Sequence, residues 1–478
     1  MVHEYPPLSL LIDGHWIPAD GRDTSPVINP ANGAVLGRVP HATSADLARA
    51  LEVTQEAFQV WRRTPAYERA QILKAAANLI RERSSHIEHL LTMEQGKPLS
   101  ESHYEVASAA DYFEWAAEEG KRTYGRVVPS RNLNLQQLVK REPVGPVAAF
   151  TPWNFPAITP SRKLSAALAA GCSVILKPGE ECPATTLAIA GCLVDAGLPP
   201  GVLQVVFGVP DMISSTLIAS SAIRKVTFTG SAPVGRLLAA RAADGIKPIT
   251  LELGGHGPVL VFADADIERA AQLGAANRFR GTGQVCISST RFIVQRSVFE
   301  RFSTAFVAAT AALKVGNGLD PGVQVGPLSN SRQLEKIEAM VADALACGAR
   351  MLTGGKRIAG PGYFFEPTVL TDVPMHARVM QEEPFGPIAI LMPFDQLSDG
   401  LTEANRLPYG LSAYVFTKDA ATAIRAGDAL EAGMIGINHF SMIVSELPFG
   451  GVKESGYGSE GGAEGIASYL TTKFISQY

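Results

Sequence analysis

Cysteine and charge are both scarce in this chain. Its 478 residues include five cysteines, Cys172, Cys182, Cys192, Cys286 and Cys347. So sparse and odd a set is not a disulfide framework. The ten-residue spacing of the first three matches no zinc-site pattern, so no metal is expected. Charged residues make up 18% of the sequence, below the roughly 25% of an ordinary soluble protein, which implies a large buried core. Lys and Arg number 42 against 46 Asp and Glu, a net charge of −4. That mild acidic balance leaves no electrostatic footprint for nucleic acid or an anionic membrane. No apolar run approaches the roughly 18 residues that span a bilayer; the longest, Ala166–Leu176, is broken by Gly171 and Ser173. The opening MVHEYPPLSLLIDG has neither the basic segment nor the apolar stretch of a signal peptide. The ending KFISQY carries no lipidation or retention signal. A cytoplasmic protein with no nucleic-acid or membrane partner is expected.

Hydrophobic residues reach 46%, and at about 150 residues per domain the length suggests about three structural units. Residues 43–120 repeat apolar side chains at helical spacing, through Leu47, Leu51, Ala57, Phe58 and Trp61 and again through Ile72, Ala76, Leu79 and Ile80. Gly96 and Gly120 are candidate stops. From Val147 onward, short apolar runs alternate with helical stretches. Val147–Phe150, Ser173–Leu176, Leu203–Phe207, Lys225–Phe228 and Ile249–Leu251 read as strands of one series. Val259–Phe262, Phe292–Gln295, Ile388–Met392, Tyr414–Phe416 and Ile435–Ile437 form a second. Continuous apolar strands alternating with helices predict an α/β fold with parallel, doubly wound sheets. Gln136–Arg141 and Ser468–Ile475 mix polar and charged residues into a strand-like pattern and suit edge strands that could pair in an oligomer.

No nucleotide-binding G-x-x-x-x-G-K-[ST], hydrolase G-x-S-x-G or zinc H-E-x-x-H is present, and no G-x-G-x-x-G falls within the first strand series. The nearest glycine motif there, Gly230-Ser-Ala-Pro-Val-Gly235, follows one predicted strand and opens a helix, whose free N–H groups can hold a phosphate. Cys286 follows Gly-Thr-Gly-Gln-Val, a loop in which backbone can approach a ligand. Taken alone, it reads equally as a buried thiol. Glu252, in Leu-Glu-Leu-Gly-Gly, ends an apolar strand; a carboxylate there is either solvated or has a raised pKa suited to a general base. Pro152-Trp-Asn-Phe-Pro156 offers the Asn154 amide to an oxyanion. Asn154, Lys177, Ser231 and Glu252 all lie just past predicted strand ends, where open α/β sheets bind ligands.

Together these segments resemble the aldehyde dehydrogenase superfamily. The similarity runs from Ile28-Asn-Pro-Ala-Asn-Gly33 through PWNFP, LKPGE, FTGS, LELGG, GQVC and Glu382-Glu-Pro-Phe-Gly-Pro387 to Pro448-Phe-Gly-Gly451. The resemblance implies a variant Rossmann cofactor domain (1–124 and 147–251), an α/β catalytic domain (252–440), a small β oligomerisation arm (125–146 and 463–478) and a returning segment (441–462) lining the site. It implies a homodimer or homotetramer. By position, Cys286 would be the nucleophile, forming a thiohemiacetal and then a thioester. Asn154 and the Cys286 N–H would hold the oxyanion, and Glu252 would activate water. Lys163 and Glu460 would form a supporting charge network, with Ser459 standing where the family often has Arg. Trp153, Lys177, Glu180, Gly230, Ser231, Glu383 and Phe385 would hold the cofactor. Glu180 favours NAD over NADP, because a carboxylate accepts from a ribose 2′-OH and repels a 2′-phosphate. Gly179 replaces the family's usual Ser or Ala, an exchange expected to be tolerated.

Arg162, before Lys163, and Arg280, six residues before Cys286, resemble the carboxylate-binding arginines of succinate-semialdehyde dehydrogenases. Arginine's planar fork suits a carboxylate. Those enzymes place a serine four or five residues before the proline of PFGG. Here Val444 and Ile443 hold those places, and Ser445 lies three before. Ser288 replaces the second cysteine of relatives with a redox switch, so no such regulation is expected. The expected reaction is oxidation of succinate semialdehyde to succinate. The alternatives are another ω-oxo acid, such as glutarate semialdehyde, or an uncharged aliphatic or aromatic aldehyde.

Overall fold

A computed structural model describes residues 4–478. The early region is helical, as its spacing predicts. Helix Ser44–Trp61 buries Leu47, Ala50, Val53, Thr54, Phe58 and Trp61 along one stripe. Thr43 starts it: its hydroxyl accepts from the Asp46 N–H at 3.2 Å, and the Asp46 carboxylate accepts from the Thr43 N–H at 2.7 Å. Helices Ala66–Glu82, Ser84–Gln95 and Leu99–Glu119 follow. Gly96 ends the third of these four helices at a left-handed φ of 94°, whereas Gly120 leads on into a 3-10 turn.

The first large sheet has five parallel strands in the spatial order Leu203–Val205, Val174–Lys177, Val147–Phe150, Lys225–Thr229 and Ile249–Glu252. All five are buried along their length, which explains their continuous apolar runs. The order reverses between Val147–Phe150 and Lys225–Thr229, and a crevice opens beyond the strand ends at such a switch point. Both edges carry antiparallel additions that the apolar pattern does not reveal. One is the hairpin Ser9–Ile12/His15–Pro18, turned by Asp13 and Gly14 at φ 56° and 75°. The other is Gly456–Tyr457, laid beside Leu251 and Glu252. The string Gly456-Tyr-Gly-Ser-Glu-Gly461 has G-x-G-x-x-G spacing, yet it opens no parallel strand–helix unit. Its first glycine (φ 118°) lies so close to Leu251 that a Cβ would meet the Leu251 carbonyl oxygen at 1.9 Å.

The second sheet runs Thr368–Thr371, Ile388–Phe394, Ser289–Gln295, Gly257–Val261, Ser412–Phe416 and Met434–Ile437, all parallel, with Arg350–Thr353 antiparallel at one edge. The two polar strand candidates pair with each other within the chain: Leu470–Gln477 lies antiparallel to Gln136–Pro143, and Arg126–Val128 adds beyond it. The last strand starts two residues later than expected, because Gly462–Ala467 is a short helix capped by Ser468.

Helix Ile158–Ala170 is buried at all 13 residues. It nevertheless carries Arg162 and Lys163, so two cations in the protein interior need partners. Among the described residues, no helix is long and apolar enough to cross a membrane.

Candidate active site

The crevice at the switch point holds a cavity of about 190 Å³, lined by Trp153, Asn154, Arg162, Gly230, Ser231, Glu252, Cys286, Glu383 and Phe385 among others. Strand ends of the first sheet deliver most of these residues. Cys286 arrives from the other side, on the loop that enters the second-sheet strand Ser289–Gln295. That loop runs through three left-handed residues, Gly281, Thr282 and Gly283, at φ 55°, 56° and 72°. Thr282 pays no polar penalty in this rare conformation, because its hydroxyl donates to the Gly326 carbonyl at 3.0 Å.

Asn154 is buried, and its Nδ2 donates to the Gln284 carbonyl at 3.0 Å. This bond fixes the amide orientation and leaves the second N–H of Nδ2 available to an oxyanion. Glu252 is 1% exposed, and neither carboxylate oxygen has a hydrogen-bond partner. Burial pushes its pKa up, against the pull of the Arg162 charge. Burial also pushes the Cys286 thiol well up, helped by Glu252 and opposed by Arg162. Both groups are thereby biased toward their neutral forms, a thiol and a carboxyl lining one cavity.

Arg162 stacks its guanidinium 4.0 Å from the Phe449 ring centroid, with Tyr112 at 5.7 Å. Its Nε lies 3.7 Å from Glu460 Oε2, and neither Nε nor Nη1 makes a hydrogen bond. Lys163 pairs with Glu460 Oε1 and donates to Thr227 Oγ1 at 3.1 Å. Burial works to raise Glu460, but Lys163 and Arg162 together hold it below the usual carboxylate value. Lys163 and Glu460 thus lie behind Arg162, as a buried ion pair.

On the far wall, Glu383 Oε1 accepts from the Gly255 N–H at 3.1 Å, and burial raises its pKa to about 7. A Cβ at Gly254 would meet Glu383 Oε2 at 2.5 Å, so only glycine allows this approach. Phe385 stands edge-on to Trp153 at 5.7 Å. Ser231 caps helix Ala232–Asp244 without a side-chain bond, leaving the first-turn N–H groups without a side-chain acceptor. Lys177 and Glu180 form an ion pair of 2.5 Å beyond the strand Val174–Lys177. Gly179 packs on Trp153, where a Cβ would come within 3.0 Å of the Trp153 nitrogen. The cavity also presents Thr229 Oγ1 and Gln333 Oε1, buried and unpartnered. A helix N-terminus, carboxylates and unpartnered acceptors on one crevice suit a polar dinucleotide.

Of the three expected substrate contacts, Arg162 lines this cavity and Arg280 and Ser445 do not. Arg280 caps the end of helix Ile267–Phe279 with its Nε buried and unpartnered. Ser445 lines a separate cavity of about 440 Å³ against helix Leu99–Glu119, and its hydroxyl donates to Glu446 Oε2 at 3.2 Å. The apolar cluster between the two cavities contains Tyr112, Ile443 and Phe449, and Cys286 packs against it.

Motif reading missed the groups that hold the site together. Lys97 and Glu105 form a buried ion pair at 2.5 Å, each side chain 1% exposed. Lys97 also donates to the Asn154 carbonyl at 2.8 Å, and Glu105 Oε1 accepts from the N–H groups of Ala157 and Ile158 at 2.8 and 3.2 Å. The Pro152–Pro156 loop is thereby gripped from the helical region. The only sequence signal was a lysine beside the helix-ending Gly96.

A thiol, a carboxyl and an amide donor thus meet at one crevice beside the N-terminus of helix Ala232–Asp244, an arrangement suited to a thiol-dependent oxidoreductase. Residues 16–475 match the family model described as the Aldehyde dehydrogenase family, and the chain belongs to that family. It is 48% identical to 4-(hydroxymethyl)benzenesulfonate dehydrogenase TsaD1 of Comamonas testosteroni, over 98% of this chain and 97% of that one. It is 42% identical to succinate-semialdehyde dehydrogenase [NADP(+)] GabD of Escherichia coli, over 97% and 96%. The fold matches betaine aldehyde dehydrogenase of Staphylococcus aureus in complex with NAD+, with TM-score 0.97, 33% identity and coverage of 99% and 96%. The protein is an aldehyde dehydrogenase of α/β fold that uses a nicotinamide dinucleotide, NAD or NADP.

Proposed function

We propose that the protein oxidises an aldehyde bearing a remote anionic group to its carboxylate, with succinate semialdehyde the first candidate and glutarate semialdehyde the next. The observation that carries this reading is Arg162, buried at the same cavity as Cys286 with two of its nitrogens unbonded. A buried guanidinium with free donors suits a carboxylate or sulfonate. The names of two relatives point the same way, one carrying a sulfonate and the other a carboxylate.

In this reading Glu252 takes the proton of Cys286, and the thiolate attacks the aldehyde carbon to give a thiohemiacetal. Asn154 Nδ2 and the Cys286 N–H steady the oxyanion. The dinucleotide, held by Trp153, Lys177, Glu180, Gly230, Ser231, Glu383 and Phe385, supplies a hydride acceptor when bound. Loss of hydride from the thiohemiacetal carbon to that acceptor would leave a thioester on Cys286. Glu252, its first proton released to solvent, then draws a proton from water, and the new C–O bond forms as the C–S bond to Cys286 breaks. NAD is favoured over NADP because Glu180 presents a carboxylate where a 2′-phosphate would need a cation. The domain limits given above, a dimer or tetramer built through the 125–146 and 463–478 arm, and a cytoplasmic setting belong to the same reading. Five free cysteines suit a reducing compartment.

A second reading rests on the Arg162–Glu460 pair: if Arg162 serves only Glu460, the substrate is uncharged. The test is kcat/KM with NAD for succinate semialdehyde against butanal, its uncharged four-carbon counterpart. A charge-assisted contact worth about 1.5–3 kcal/mol predicts a preference of roughly 10- to 150-fold for the semialdehyde, lost in Arg162→Met. Equal values, or a preference for butanal, select the second reading.

A further inference from the structure

Arg278, in the last turn of helix Ile267–Phe279, is fully buried, yet it pairs with no carboxylate. Its donors go instead to two loops. Toward the nucleophile loop, Nη1 donates to Ser288 Oγ at 2.5 Å and to the Gly283 carbonyl at 3.4 Å. Toward the loop of Glu383 and Phe385, Nη2 donates to the carbonyls of Pro384, at 3.0 Å, and Gly386, and Nε donates to the Ile388 carbonyl at 2.7 Å. A guanidinium has five N–H groups, and all five are used here. The same loops touch directly: a Cβ at Gly283 would come within 2.3 Å of the Gly386 carbonyl oxygen.

This arrangement costs desolvation of a cation without an ion-pair partner, and such an outlay calls for a return in geometry. Cys286 lies between Gly283 and Ser288, the two points that Arg278 holds on one side. Glu383 and Phe385 abut the points that it holds on the other. We propose that Arg278 is the positioning residue that couples the two loops, so that a nucleotide seated against Glu383 and Phe385 sets the exposure of the Cys286 thiol. Lysine in its place offers three donors from a single nitrogen and cannot reach both loops with a planar fork. The coupling rests on the proposed reading of Cys286 as nucleophile and of Glu383 and Phe385 as cofactor contacts.

The test measures alkylation of Cys286 by iodoacetamide, with the modified peptide identified by mass spectrometry, in the absence and presence of saturating NAD. Nucleotide affinity is measured separately by tryptophan fluorescence. In the native protein NAD changes the alkylation rate at least fivefold. In Arg278→Gln and Arg278→Lys, NAD still binds within about threefold of its native affinity but changes the rate less than twofold. Ser288→Ala, which removes one loop contact and spares the buried cation, gives an intermediate effect and serves if neither Arg278 variant folds. Undiminished coupling in the folded variants overturns the proposal, as does the absence of any nucleotide effect in the native protein. Failure of the underlying reading shows differently: Phe385→Ala and Glu383→Gln then leave nucleotide affinity unchanged, or Cys286→Ala keeps its activity.

Discussion

In the proposed function one buried pair, Glu252 and Cys286, serves two proton transfers. Burial raises the pKa of both, and Glu252 raises that of Cys286 further. At low pH the pair holds its protons and is inert; as pH rises Glu252 becomes able to take one. The expected kcat profile therefore has an acidic limb centred above the ordinary carboxylate value. Glu252→Gln abolishes that limb, and a limb unchanged in the variant assigns the base elsewhere. Sequence put Glu252 at the carboxyl end of a strand, where ligand sites form; Cys286 precedes a strand of the other sheet, so its approach to the same cavity was not legible from strand ends. It placed Arg280 less well. Three successive left-handed residues turn the chain between Arg280 and Gln284, so six residues of separation from Cys286 say little about direction. Ser445 is likewise near in sequence to the expected serine, but its hydroxyl is taken by Glu446.

Helices beside the site begin without caps of their own, and distant glutamates supply them. Glu105 accepts from the first N–H groups of Ile158–Ala170, and Glu94 accepts from Ala184 and Thr185 at 2.7 and 3.0 Å at the start of Pro183–Asp195. Pro183 in the first turn and Gly197 past the end mark the second helix locally, but nothing local names a cap more than fifty residues away. Glu105→Ala removes the cap and strands Lys97 as an unpaired buried cation, a loss of about 3–5 kcal/mol. Thermal unfolding should fall by several degrees, and kcat should fall with it as the Asn154 loop loosens. Glu105→Gln, which keeps an acceptor for the helix, should lie between. A Glu105→Ala protein as stable and active as the native one would remove the grip from the account.

Across the whole molecule, two sheets approach one crevice and residues from both line it. The first brings Asn154, Ser231 and Glu252, the second brings Cys286, Glu383 and Phe385, and the returning segment closes the back with Phe449 and Glu460. The α/β class was legible because strands buried on both faces are apolar without interruption. Strand order, the antiparallel edges and the seam between the sheets were not, because pairing partners lie far apart in the chain, as Glu252 and Gly456 do. In the proposed function the acyl group passes through Cys286 and leaves by the action of Glu252. The most direct measurement mixes the Glu252→Gln protein with NAD and succinate semialdehyde and follows NADH alongside the mass of the Cys286 peptide. The account predicts close to one NADH per active subunit, an acyl group retained on Cys286, and steady turnover lowered by about 10²- to 10⁴-fold. Native turnover, or an acyl group on any other residue, would contradict it.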